Sequence, residues 1–189
     1  MNIFDRHYLG VSAIVVYIGT IEINEQVQRI PMVARVSIVD YRGDVVLDTY
    51  VQPTHKIEDY RSQETGIYIH DLINAPSFQE VQLRVSSIVK NKILVGHCLW
   101  TFLSVLGLSH PALYTRDLAL FRPMRRKLKS RVIVSLPILV HKYMGCTVLE
   151  LARVAMDLFR CCERDFEKII EDGGWPCNLP PSAFAEYFT

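Results

Sequence analysis

Apolar positions along the chain follow two rhythms. Residues 11–18, Val-Ser-Ala-Ile-Val-Val-Tyr-Ile, form a short and almost unbroken apolar run closed by Gly19, the pattern of a strand covered on both faces. Met32–Val39 and Val45–Val51 are β-branched runs separated by Asp40-Tyr-Arg-Gly-Asp44, which suits a tight hairpin connection. From Pro76 the rhythm changes. Phe78, Val81, Val85, Ile88 and Val89 recur at helical spacing and predict a helix over 77–90. Lys92–Val95 reads as a fourth strand, Cys98–Leu106 as a buried helix, Leu113–Thr115 as a short fifth strand, and Ser135–Tyr143 as a helix entered through Pro137. The clearest stripe lies in Thr147–Cys162, where Val148, Leu151, Ala152, Ala155, Leu158 and Phe159 share one face. Gly173-Gly174-Trp175-Pro176 breaks it, and Pro180-Pro181 predicts a non-helical remainder. A hairpin group followed by alternating helices and strands predicts a mixed α/β sheet. The chain divides into a lead (1–10), a domain (11–166) and an aromatic tail (167–189).

Composition narrows the class. The 189 residues are 50% hydrophobic and 22% charged, which excludes disorder and fibres, and a chain this long buries roughly 70% of its unfolded surface without metal or disulfide staples. Lys and Arg total 21 against 20 Asp and Glu, so any polyanion site must be local. Five cysteines without C-x-x-C spacing read as reduced thiols of an intracellular protein. His7–Ile21 lacks an acidic or strongly basic side chain, but it is shorter than the ~18–20 residues that cross a bilayer. With Asp5 before it and no small-residue cleavage site after it, it is also not a leader.

Several strings in register carry a resemblance. Ala34–Pro53 holds a strand, a Gly-Asp turn and a second strand ending in Pro, and Ile57-Glu-Asp-Tyr-Arg61 and Gly66-Ile67 follow. Val95-Gly96-His97, Thr115-Arg116-Asp117 and Ala152 with Met156-Asp-Leu-Phe-Arg160 come later. This order resembles the DEDDh family of 3′-to-5′ exonucleases, in particular the subgroup of the interferon-stimulated exonuclease and the RNA exonucleases of ribosomal RNA processing, over about residues 11–162. The resemblance implies a ribonuclease-H-like fold, a five-stranded mixed sheet flanked by helices. It also implies two divalent metals about 3.5–4 Å apart, held by four acidic residues beside a histidine base.

Each implied position can be located. Counting through Gly19-Thr20 places the D-x-E pair on Ile14 and Val16. Counting from Val95-Gly96-His97 places the next acid on Phe102, and counting back from Ala152 places the last on Leu151 and the base on Cys146. Four aliphatic or aromatic groups and a thiol cannot ligate magnesium, and Glu150 is turned about 100° from Leu151 on a helix. The expectation is a core in which Ile14, Val16, Phe102 and Leu151 touch, with no metal, no cofactor and no exonuclease activity.

Other candidates are local. His97 reads as a supporting residue, while His55, His70, His110 and His141 lack zinc spacing, and Cys146 near His141 lacks an oxyanion hole. Arg122, Arg125, Arg126, Lys127, Lys129 and Arg131 place six basic residues in ten. They read as a solvated loop, a phosphate-contacting patch or a nuclear import signal. Trp175, Phe184, Tyr187 and Phe188 either pack back or anchor a partner. Taken together, the sequence predicts an inactive pseudo-exonuclease acting as a protein-interaction scaffold in an RNA- or chromatin-related complex, with a protein partner or homodimer, weak contact with nucleic acid and no membrane. The expected location is the nucleus rather than the cytoplasm. The alternative is a non-cleaving binder of single-stranded RNA or DNA.

Overall fold

The computed structural model describes residues 7–23, 25–147 and 150–189. Five strands, β1 (Tyr8–Ile23), β2 (Gln26–Asp40), β3 (Val45–Tyr50), β4 (Ile93–Gly96) and β5 (Thr115–Asp117), form one sheet in the order β3-β2-β1-β4-β5. The β1/β2 and β2/β3 pairs are antiparallel, and β1/β4 and β4/β5 are parallel. This is the five-stranded mixed sheet of the expected ribonuclease-H-like fold.

Alternation along the strands makes two cores. Leu9, Ile38 and Leu94 face a cluster with Val81, Val85 and Leu103, while their neighbours Tyr8, Val39 and Val95 face one with Leu158, Phe159 and Phe166. Successive side chains of a strand point to opposite faces, so the first cluster lies under α3 (Phe78–Val89) and α4 (Leu99–Val105), the second under α7 (Leu151–Glu171). Ser77 caps α3 by accepting a hydrogen bond from the Glu80 amide at 3.3 Å. Four shorter helices, α1 (Ser62–Thr65), α2 (Ile69–Leu72), α5 (Arg122–Lys127) and α6 (Leu136–Met144), complete the domain. No helix among the described residues is long and apolar enough to cross a membrane.

Several bounds differ from expectation. β1 and its hairpin with β2 continue past Gly19 through exposed residues 20–22 and 25–29, because cross-strand hydrogen bonding sustains the ladder where no apolar pattern marks it. The fifth strand is Thr115–Asp117, preceded by a 3₁₀ turn at Ala112–Tyr114. α7 starts at Leu151, capped by Glu150, and runs past Phe166 to Glu171; Val148 lies outside the described residues. The basic stretch is no loop at its start: α5 accommodates Pro123 in its first turn, where a missing amide proton costs nothing.

The final segment also forms a 3₁₀ turn at Ser182–Tyr187 and packs back. Trp175, Phe184 and Phe188 lie against the α7 core, and Tyr187 against the α3/α4 core. The backbone is tied down by His110 N–H to Tyr187 O at 2.9 Å and Ala112 N–H to Thr189 O at 2.9 Å. Of the two readings open for these four aromatic residues, packing back on the domain is the one the structure shows, and their candidate role as partner anchors does not follow.

One close approach positions the site. A β-carbon on Gly10 would meet the Ala152 carbonyl at 2.8 Å and Val39 Cγ2 at 2.9 Å. Only glycine lets the first turn of α7 lie this close to β1, which brings Leu151 to the cleft described next.

Candidate active site

A cleft of about 410 Å³ opens where β1, α4 and α7 meet, its walls including Ser12, Ile14, Arg61, Thr101, Phe102 and Leu151. A second depression of about 310 Å³ shares Ser12, Ile14 and Leu151 and adds Arg35, Ser37 and Glu150. Together they make one groove.

The five positions counted from the sequence divide here. Ile14, Phe102 and Leu151 line the cleft, whereas Val16 is fully buried in a separate cluster with Ala34, Ile57, Ile67 and Leu72. Cys146 is exposed in the loop after α6 and lines neither depression. The expected contact of Ile14, Val16, Phe102 and Leu151 in one core is thus corrected: three surround an open cleft and the fourth lies elsewhere. The reason is strand register. The β1/β2 ladder carries an extra β1 residue between Tyr17 and Thr20, so between Gly19 and Val16 the simple alternation is interrupted, and an extra β2 residue, Ala34, opposite Ile14 and Val15. Val16 turns into the cluster with Ala34, while Ser12 and Ile14 line both depressions.

Arg61 was legible only as part of a string. Its loop is stitched to β1 by Tyr17 N–H to Asp59 O at 2.9 Å and Asp59 N–H to Tyr17 O at 3.1 Å. Arg61 takes a left-handed backbone (φ 52°), held by its amide donating to Asp59 Oδ1 at 2.8 Å. Its guanidinium pairs with Glu64 and lies over the Tyr17 ring at 5.6 Å, a cation held at the mouth of the cleft.

Behind the cleft, α4 starts from Cys98, also left-handed (φ 58°). Asp117 makes that possible: Oδ1 accepts from Cys98 N–H at 3.1 Å and Ala119 N–H at 2.9 Å, and Oδ2 from Leu99 N–H at 2.8 Å. Burial pushes the Asp117 carboxyl up to about 6, against the pull of these amides. Beside it, Arg116 donates to Glu167 Oε1 at 2.6 Å and Oε2 at 3.1 Å, both side chains being buried, and lies over the Phe166 ring at 5.6 Å. Thr115-Arg116-Asp117 therefore fastens β5 to α4 and α7.

His97 contacts the Val134 carbonyl through Nε2 at 2.7 Å and Cys98 Sγ through Nδ1 at 3.3 Å. A carbonyl only accepts, so Nε2 carries the proton and Nδ1 accepts from the thiol. Burial lowers the His97 pKa and keeps the ring neutral. Burial first, and then Asp117, pushes the Cys98 thiol up to about 12, so it is no thiolate nucleophile at neutral pH. His97 is the supporting residue expected.

The fold family implies a divalent pair, and the donors here do not suit one. Hard cations take several oxygen ligands, yet the carboxylates nearest the groove are already engaged. Glu64 pairs with Arg61, and Glu150 accepts from Ser37 Oγ at 3.0 Å, Ala152 N–H at 3.0 Å and Arg153 N–H at 2.7 Å. Among the described residues no three His, Cys, Asp or Glu side chains gather to hold a metal ion.

Fold and cleft together define a ribonuclease-H-like nuclease scaffold with its groove at the β1/α4/α7 junction. The exonuclease (RNase T) family model matches residues 18–143, and the chain belongs to that family. It is similar to RNA exonuclease 4 of Cryptococcus neoformans (38% identity over 144 residues, 72% of this chain and 35% of that protein). It is also similar to RNA exonuclease 4 of Xenopus tropicalis (36% over 148 residues, 74% and 35%). The chain spans about a third of the length of these relatives. Among solved structures it is similar to the Saccharomyces cerevisiae Pan2 pseudoubiquitin hydrolase–RNA exonuclease module in complex with AAUUAA RNA, with a TM-score of 0.70 and 23% identity, covering 88% of this chain and 30% of that one. That likeness supports the fold.

These findings correct the functional expectation. The inactive scaffold, the non-cleaving binder and the absence of enzyme activity were argued from five counted positions, two of which, Val16 and Cys146, do not face the cleft. The relatives matched over 144 and 148 residues are named as RNA exonucleases.

Proposed function

We propose that this chain acts on RNA as an exonuclease, taking the 3′ end of a single strand into the groove between β1, α4 and α7. The observation that carries the reading is its similarity to proteins named RNA exonuclease 4 across most of the chain, together with a groove wide enough for a nucleotide at the junction of β1, α4 and α7. In this reading half-buried Leu151, with the small exposed part of Phe102 beside it, gives an apolar wall against which a terminal base packs. Thr101 and Ser12 line the cleft and offer hydroxyls to the sugar and phosphate, and Arg61 offers the charge. His97 and Asp117 hold α4 and hence Phe102 in place. No hydrolytic step is routed through a metal pair, because the engaged carboxylates do not fit one.

The test is a time course on 5′-labelled single-stranded RNA with magnesium and, separately, with manganese. The reading expects a ladder of products shortened stepwise from the 3′ end. Intact RNA in both metals at micromolar enzyme would overturn it.

A further inference from the structure

Residues 118–149 contain no Asp or Glu but carry seven of the 21 Lys and Arg, so the rest of the chain is net acidic. The structure gathers five of these cations around a concavity of about 300 Å³: Arg122, Arg125, Arg126, Lys129 and Arg131, with Asn178 on the facing wall. None of the five forms an ion pair among the described residues.

The concavity is built rather than left over. Its floor is α5, and its far wall is the segment after α7, joined by Arg122 N–H to Pro176 O at 3.0 Å and Asn178 N–H to Leu120 O at 2.9 Å. The loop beyond α5 folds back through Lys129 N–H to Arg126 O at 3.0 Å and Ser130 N–H to Arg125 O at 3.1 Å, with Lys129 left-handed (φ 52°). Arg125 Nη2 donates to the Arg131 carbonyl at 2.8 Å and fixes the rim. The negative end of the α5 dipole favours Arg125, Arg126 and Lys127 in its last turn. It gives no support to Arg122 at the opposite end or to Arg131 beyond it. Five like charges on one wall without a carboxylate repel one another, and a polyanion relieves that repulsion.

We propose that this concavity holds backbone phosphates of the RNA whose 3′ end occupies the groove, a second contact upstream of the end. The inference rests on the RNA reading above. Arg131 lies only five positions before Leu136 at the cleft wall, at most about 18 Å of extended chain, so one short strand can reach both. Guanidinium groups suit this task, since their fork matches phosphate oxygens two at a time.

The test is fluorescence anisotropy of a labelled single-stranded RNA at several salt concentrations. It compares the wild type, the variant Arg126→Glu/Lys129→Glu/Arg131→Glu, and the charge-matched control Arg84→Glu/Lys90→Glu/Lys142→Glu. All six side chains are exposed, so neither triple variant disturbs the core. Loss of three phosphate contacts lowers the slope of log K against log salt by about 2, at ~0.7 per contact on single strands, while the control keeps the wild-type slope. A wild type that binds RNA with the two variants indistinguishable would overturn the second contact and leave the RNA reading standing. A wild type that binds no RNA would overturn both. Equal, equally salt-steep binding of poly-glutamate by the wild type would also overturn the phosphate assignment.

Discussion

The groove and the polar network directly behind it treat charge in opposite ways. In the network, Asp117 accepts three backbone amides and Arg116 is locked to Glu167, all three side chains being buried between β5, α4 and α7. In the groove, apolar Ile14, Phe102 and Leu151 line the space and the charged groups sit at its rim. The family's recognisable strings, Val95-Gly96-His97 and Thr115-Arg116-Asp117, belong to the network. Removing Arg116, Asp117 or Glu167 would leave a buried polar group unpaired, a constraint that the apolar side chains lining the cleft do not carry. The strings therefore report the scaffold, and the groove must be read from geometry.

The comparison breaks most sharply at Glu167. Replacing it by Ala leaves the Arg116 guanidinium buried without its carboxylate, and destabilisation of about 3–5 kcal/mol is expected in urea unfolding. A loss below about 1 kcal/mol would show that the pair is not part of a rigid network.

Asp117 gives a smaller, pH-dependent effect. Its folded carboxyl titrates near 6 against an ordinary value of 3.8. Between those values the native form keeps a proton that the unfolded chain has released, so this group's contribution to stability falls as pH rises from about 4 to 6 and is level above. Two pH units correspond to about 2–3 kcal/mol. His97 and His110, both lowered by burial, act in the opposite sense: their contribution grows with pH up to about 6.5. Both histidines remain in Asp117→Asn, so the difference between the two stability curves isolates the aspartate. Asn also turns a nitrogen toward an amide that needs an acceptor, costing about 1–3 kcal/mol at pH 4, and the gap from wild type narrows toward pH 6. A constant gap across pH 4–6 would contradict the shifted carboxyl.

How much of this the sequence carried depends on whether pattern or register held the information. The helix predicted over 77–90 is found at Phe78–Val89 and the strand at Lys92–Val95 is found at Ile93–Gly96, because periodicity and a serine cap determine both locally. Residues 20–23 and 26–29 lack an apolar rhythm and are strand only because each side pairs with the other. Pro180-Pro181 read as a breaker, yet Pro181 stands at the entrance of a helical turn, where proline's fixed φ is tolerated. In the site, Phe102 and Leu151 were expected in a closed core and instead line an open cleft, because the spacing of side chains along a chain does not show whether the space between them is filled. Ser12 was missed because nothing in the apolar run 11–18 marks which of its residues reach the cleft, which is set by the elements that pack on β1. Arg61 and Thr65 come from a loop whose approach to β1 is tertiary.

The central claim is that an RNA 3′ end enters the groove. Photocrosslinking of an RNA ending in 4-thiouridine, followed by mass spectrometry of the peptides, tests it most directly. Crosslinks confined to the segments around Arg61–Thr65 and Thr101–Phe102 are the predicted result. Crosslinks concentrated on the C-terminal segment beyond Gly173, with none in either of those two, would contradict it.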